Sequence, residues 1–157
     1  MRDADIAIRR AAPTDLATLR RFEQGIIAAE RPYDPTIRDG DVQYYDLAAL
    51  IASPDAFVAI AEIGGDAIGC GFARKTPSRV YAKSAFHAYI GLMFVEPAHR
   101  GKSVSEAIIR VLTEWARDNG LSDIHLEVYP DNASAVRAYE KAGFAPYMME
   151  MRRELGE

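Results

Sequence analysis

A single cysteine, Cys70, stands among the 157 residues. No internal disulfide can form, and a reducing compartment is the natural setting. Gly69 and Gly71 flank it in a run that reads as strand, which marks a buried structural thiol rather than a nucleophile. Histidine is nearly as scarce. His87, His99 and His125 are scattered, none is paired at helical ligand spacing, and no metal is expected. No Gly-x-Ser-x-Gly elbow occurs, so serine hydrolase chemistry is not indicated. Long apolar runs are missing and the opening MRDADIAIRR lacks a signal-peptide core, so the expectation is a cytoplasmic protein with no membrane partner. A basic excess is missing too: the formal charge is −4, and no nucleic-acid partner is expected.

What is present fits a soluble α/β protein. Apolar residues make up 49% and charged residues 27%, enough for a core without staples, and one domain over 1–157 is expected. Residues 5–11 alternate and read as a strand. Pro13-Thr14-Asp15 opens a helix carrying Leu16, Leu19, Phe22 and Ile26 at helical spacing. A loop rich in Pro, Asp and Gly follows at 30–41, then a short helix at 42–52. Residues 56–63 and 67–75 form a hairpin about Gly64-Gly65-Asp66. A third long strand runs over 85–95. An amphipathic helix covers 103–118, with Val104, Ile108, Val111, Leu112 and Trp115 on one face. A strand at 123–129, a helix at 132–143 and a strand at 147–155 complete the order. The fold class is mixed α/β: a mostly antiparallel sheet with one central parallel β-α-β crossover, flanked by helices.

The segment VEPAHRGKSVSEAI, residues 95–108, ends in the Gly-Lys-Ser of a phosphate-binding P-loop. A Walker A loop needs another glycine five residues earlier. Glu96 stands there, and its carboxylate would repel a polyphosphate. A strand, a sharp turn and a helix start still make an anion site from unpaired amides and the helix dipole, with Arg100 and Lys102 adding charge. An ordinary turn with two solvated cations is the plainer alternative.

A second segment, DNASAVRAYEKAGF at 131–144, is the more specific. Together, Val95-x-Pro97-x-x-Arg100-Gly101-Lys102 and Asn132-x-x-Ala135-x-x-x-Tyr139-Glu140-Lys141-x-Gly143-Phe144 resemble the GNAT superfamily of acyl-CoA-dependent N-acyltransferases, and the element order is similar over nearly the whole chain. The resemblance implies acetyl-CoA as co-substrate and an amine as acceptor. It implies that amides of Met93, Phe94 and Val95 hold the pantetheine arm and polarise the acyl carbonyl. The turn and helix start, Arg100, Gly101, Lys102, Ser103, Val104 and Ser105, would cradle the pyrophosphate. Asn132 would bond the cofactor arm and Tyr139 would face the thioester sulfur. The family pattern Arg/Gln-x-x-Gly-x-Gly/Ala reads here Arg100-Gly-Lys-Ser103-Val-Ser105, a departure that bears on CoA affinity.

Amine attack on a thioester needs a base for the amine, donors for the oxyanion and an acid for the departing thiolate. Tyr139 is the candidate acid, or else a core aromatic of its helix. Glu127 is the candidate base, as the resemblance to enzymes that acetylate ribosomal-protein N-termini implies; its plainer role is to order its strand. Where other members carry a base on the preceding strand, this chain has Tyr89, and His87 is the fallback. Loop residues Glu30, Asp34, Asp39, Asp41 and Asp46, with Tyr33, Tyr44 and Tyr45, suit a cationic amine or are a solvated loop. The expected activity is acetyl transfer from acetyl-CoA to a primary amine of a small molecule or amino acid. A protein N-terminal acetyltransferase and a non-catalytic CoA-binding sensor are the alternatives. A strand edge left by the short C-terminal segment could take a homodimer partner.

Overall fold

In the computed structural model, which describes residues 5–156, the chain divides into two compact units, the first ending at Glu127 and the second beginning at Val128. The first unit holds a five-stranded sheet in sequence order. Its strands are β1 (Ala7–Arg10), β2 (Ala56–Ile63), β3 (Asp66–Pro77), β4 (Phe86–Val95) and β5 (Ile124–His125). The first four pair antiparallel, and β4 pairs with β5 in parallel. Helices α1 (Leu16–Glu30), α2 (Leu47–Ala52) and α3 (Val104–Asp118) complete the unit. The expected mixed sheet with its parallel crossover is what the chain forms.

Side-chain size decides which helix packs where. On one face Val58, Ile60, Cys70, Phe72 and Leu92 meet Leu19 and Phe22 of α1 and Leu47 and Leu50 of α2 in one core. Strand alternation turns Ala59, Ala61, Gly69 and Gly71 to the other face. A methyl at Gly71 would lie 3.0 Å from Ile108 and 3.5 Å from Leu112. That face is small so that α3 can approach, and Val104, Ile108 and Leu112 are fully or almost fully buried there.

Three boundaries differ from the sequence reading. The helix expected over 42–52 begins only at Leu47, because Asp46 caps it by accepting the Ala49 amide at 3.0 Å. The amides of Tyr44 and Tyr45 are instead bound by the Glu23 carboxylate, both at 3.2 Å. The strand expected over 123–129 is cut to two residues, since pairing with β4 covers only Ala88↔Ile124 and Tyr89↔His125. The strand expected over 147–155 does not form: residues 144–156 carry no helix or strand. Its alternation is real, but a pattern selects a face and does not supply a partner edge. In the second unit the regular element is α4 (Ala133–Lys141).

Within β4 the ladder is irregular. Cys70 pairs with Phe94 and Phe72 with Gly91, so β4 spends three steps where β3 spends two. This is a β-bulge, and Leu92 within it has φ 57°, a left-handed conformation rare for a branched residue. The Leu92 carbonyl accepts the Cys70 thiol at 3.2 Å. Gly91 is the close approach beside it. A Cβ there would lie 2.7 Å from the Tyr45 hydroxyl oxygen and 2.7 Å from Cζ of Phe72. Gly91→Ala should therefore destabilise the fold by about 1–3 kcal/mol through overpacking, read as a lower urea midpoint. An unchanged midpoint would mean that Tyr45 is not held against this strand.

Candidate functional site

Beyond Tyr89, β4 has no pairing with β5. The parallel ladder thus covers none of β4 from Ile90 to Val95, and the bulge breaks the register with β3 in the same stretch. Met93, Phe94 and Val95, the residues singled out from the sequence, lie here and are partly buried. The Phe94 ring stacks on Phe22 of α1 at 4.9 Å between centroids, which fixes the end of the strand to the helix layer.

The turn after β4 carries the chain into α3. Pro97–His99 makes one 3-10 turn, and Gly101 and Ser103 then take φ of 77° and 63°. Such left-handed steps turn successive amides toward one side. Ser103 is the N-cap of α3, yet its hydroxyl makes no capping bond. The first-turn amides of a fifteen-residue helix thus lack a side-chain cap and lie beside exposed Arg100, Gly101 and Lys102. Arg100 Nε also donates to the Val95 carbonyl at 3.0 Å, tying the turn to the strand. Glu96, whose charge argued against a polyphosphate loop, pairs with Arg21 of α1 at 2.6 Å. Uncapped amides and two cations suit a phosphate group, although Glu106 also stands in the first turn of α3.

A second cluster lies where β4 and β5 part. The Tyr89 hydroxyl lies near that of Tyr45 and near the Glu127 carboxyl. Tyr45 packs edge-on against Phe72, with centroids 4.9 Å apart, and Arg74 lies 5.5 Å over the Tyr89 ring. Burial, then the neighbouring Tyr45 and Glu127, push the Tyr89 phenol well above its ordinary range. Burial does the same for Tyr45. Tyr44 donates to Glu30 at 3.3 Å, and burial raises the Glu30 carboxyl. A groove lined by Arg20, Gln43, Tyr44, Tyr45, Asp46 and Leu47 opens beside these residues.

Of the loop carboxylates, Asp34 accepts the Thr36 amide and hydroxyl, and Asp46 caps α2. Those two are occupied with local turns. His87 is drawn away from the tyrosine cluster: its ring bonds Ser78 at 3.0 Å and stacks on His125 at 4.0 Å. Burial, then His125, lower its basicity. In the second unit Asn132 caps α4, its side-chain oxygen accepting the Ala135 amide at 3.3 Å. The Tyr139 ring meets Phe144 edge-on at 6.1 Å.

Comparisons with known proteins agree with the fold. The model of the acetyltransferase (GNAT) family matches residues 23–144. The chain belongs to that family. Among curated relatives, an uncharacterized N-acetyltransferase, YobR of Bacillus subtilis, is 45% identical over 65 residues, 40% of this chain and 26% of YobR. An IAA acetyltransferase of Azospirillum brasilense is 31% identical over 100 residues, 64% of this chain and 61% of that protein. The chain thus spans less than two thirds of the length of these relatives. Among solved GNAT-like folds, AAC(6')-Iy in complex with the bisubstrate analog CoA-S-monomethyl-acetylneamine superimposes with a TM-score of 0.73 at 20% identity. That match covers 96% of this chain and 99% of the other.

Sequence reasoning missed Glu23, the buried acidic residue of α1 at 0% exposure. The signal was there: a carboxylate between Leu19 and Ile27, on the helix face that is otherwise apolar. Tyr89, which the sequence marks only as standing where a base is missing, lies near Tyr45 and Glu127. At the start of α3, Ser103 adopts a conformation that glycine takes without a Cβ clash. Ser103→Gly should raise stability by about 0.5–1 kcal/mol, the left-handed penalty less the added chain entropy. Thermal unfolding reads this directly, and a lower Tm in the glycine variant would show that the serine hydroxyl is needed in the turn.

Proposed function

We propose that this chain is an acetyl-CoA-dependent N-acetyltransferase that acts on a primary amine of a small molecule or amino acid. The observation that carries the reading is the continuous path from the bulged, half-unpaired end of β4, through the turn at 96–103, to the uncapped start of α3. A thioester carbonyl needs donors where charge develops, and strand amides at the bulged end of β4, around Met93, Phe94 and Val95, would supply them without reorganisation. A diphosphate needs converging amides, and the residues from Arg100 to Ser105 present them with two cations.

Chemistry then requires a neutral amine and a protonated leaving group. Glu127 serves as base and sits on the exposed side of the tyrosine cluster, where it can discharge its proton to water. By family resemblance, Asn132 bonds the cofactor arm and Tyr139 protonates the departing thiolate. The partly buried Glu30 and the aromatic faces of Tyr44 and Tyr45 favour a cationic acceptor. The solved complex of AAC(6')-Iy makes aminoglycosides a sensible part of any acceptor panel, beside diamines and amino acids.

Purified protein incubated with acetyl-CoA and that panel should release free CoA thiol with at least one amine. Tyr139→Phe keeps the ring against Phe144 and removes only the hydroxyl, so kcat should fall by roughly 10²–10⁴-fold while Tm holds. Wild-type turnover in Tyr139→Phe would remove that residue from the mechanism. Tight CoA binding without thiol release for any amine would favour a CoA-binding sensor.

A further inference from the structure

Residues 41–46 form no helix or strand, yet they carry Tyr44 and Tyr45 into the groove that begins at Arg20 and ends at Leu47. Helix α1 holds this segment. One oxygen of Glu23, Oε2, accepts the amides of both Tyr44 and Tyr45 at 3.2 Å. Gln24, the next residue of the helix, donates to the Val42 carbonyl at 2.9 Å. Further along the same helix, Glu30 accepts the Tyr44 hydroxyl at 3.3 Å. Among the described residues no backbone carbonyl takes the Tyr44 and Tyr45 amides, so the carboxylate stands in for a missing ladder.

Stability alone is a weak account of Glu23. The residue is 0% exposed, and its other oxygen, Oε1, has no partner among the described residues. A buried carboxylate satisfied on one oxygen contributes little net stability, because desolvation offsets much of what its two bonds supply. An aliphatic side chain on this apolar face would fill the space without that cost. What the carboxylate adds is direction. Two successive amides converge on one acceptor, which fixes the backbone that aims both rings. The Tyr45 ring then meets Phe72 edge-on at 4.9 Å, and a carbon added to Gly91 would lie 2.7 Å from the Tyr45 hydroxyl oxygen. Gly91 immediately precedes Leu92, the left-handed residue of the bulge. Tyr45 therefore reaches from the groove to the bulged stretch of β4.

We propose that Glu23 is a positioning residue for the amine acceptor: by holding the Tyr44 and Tyr45 amides it sets the aromatic wall of the acceptor groove against β4. The proposal rests on the acetyltransferase reading above and adds to it a buried residue that acts only through the two tyrosines. CoA binding is outside its reach. The turn at 96–103 is tied to β4 by Arg100 and to α1 by the pair of Arg21 and Glu96, and neither bond passes through residues 41–46.

The test uses the full chain, two substitutions at Glu23 and two readouts. Glu23→Gln keeps an acceptor oxygen in place, and Glu23→Leu removes it at similar volume. In amide hydrogen exchange read by NMR, the Tyr44 and Tyr45 amides should be protected in the wild type and in Glu23→Gln. In Glu23→Leu they should exchange about tenfold faster or more, with the sheet unchanged. With acetyl-CoA and the best amine of the panel, Glu23→Leu should raise the amine KM about tenfold and leave kcat within about threefold. CoA affinity by calorimetry should hold, and Glu23→Gln should keep the amine KM close to wild type. A purely structural role would lower Tm and leave that KM alone. Should Glu23→Leu not fold, Gln24→Ala at its exposed position frees Val42 from the same helix and should raise the amine KM about threefold. Unprotected Tyr44 and Tyr45 amides in the wild type would overturn the anchor. An unchanged amine KM in Glu23→Leu, or in Gln24→Ala where the leucine variant does not fold, would overturn its role toward the acceptor. A wild-type chain that acetylates no amine overturns the acetyltransferase reading and the acceptor role with it. The exchange arm needs no turnover and tells that failure from a failure of the anchor.

Discussion

Leu92 is held at φ 57° inside a ten-residue strand, a conformation that costs an L-residue about 1–2 kcal/mol. It persists because its surroundings fix it from several sides. Its carbonyl takes the Cys70 thiol, its side chain is buried in the core with Phe22 and Phe72, and β3 runs one residue short against it. Strain kept in this way is informative, since nothing in a plain strand would need it. What it achieves is local: the ladder with β3 skips a residue of β4 between Gly91 and Phe94, just beyond Tyr89, where the parallel partner stops. The turn and the start of α3 follow directly on this stretch.

The electrostatics around the opening are arranged by pairing and burial rather than by net charge. Glu96 is paired with Arg21, so it does not oppose an anion at the neighbouring turn. Glu23 is buried with two backbone amides on one oxygen, and burial raises its carboxyl despite them. A buried carboxylate that binds a loop is a costly way to hold it. Here it sets Tyr45 at one height over β4. Cys70, with its thiol pushed far up by burial and at 0% exposure, is a packing and bulge residue and not a nucleophile.

Much of this was legible in the residues because it depends on local chemistry. The hairpin about Gly64-Gly65 and the helix behind Ser103 follow from turn residues and spacing, and their bounds hold within a few residues. The departure at Ser103 was visible as a serine in a glycine position, and the backbone does adopt the glycine conformation there. The nearness of Tyr45, Tyr89 and Glu127 was not legible, because they come from three segments that only the sheet and Glu23 bring together. The late start of α2 was missed for the same reason: a distant carboxylate bound the amides that the helix would have used. The alternation at 147–155 shows the limit from the other side, since period two describes a strand only when a partner edge takes its hydrogen bonds.

Amide hydrogen exchange, read residue by residue with and without CoA, tests the central claim most directly. If the bulged end of β4 and the start of α3 form one continuous ligand site, CoA should slow exchange at Met93 to Val95 and at Ser103 to Ser105 together. Protection that appears at neither segment, or only along the groove at 43–47, would contradict it.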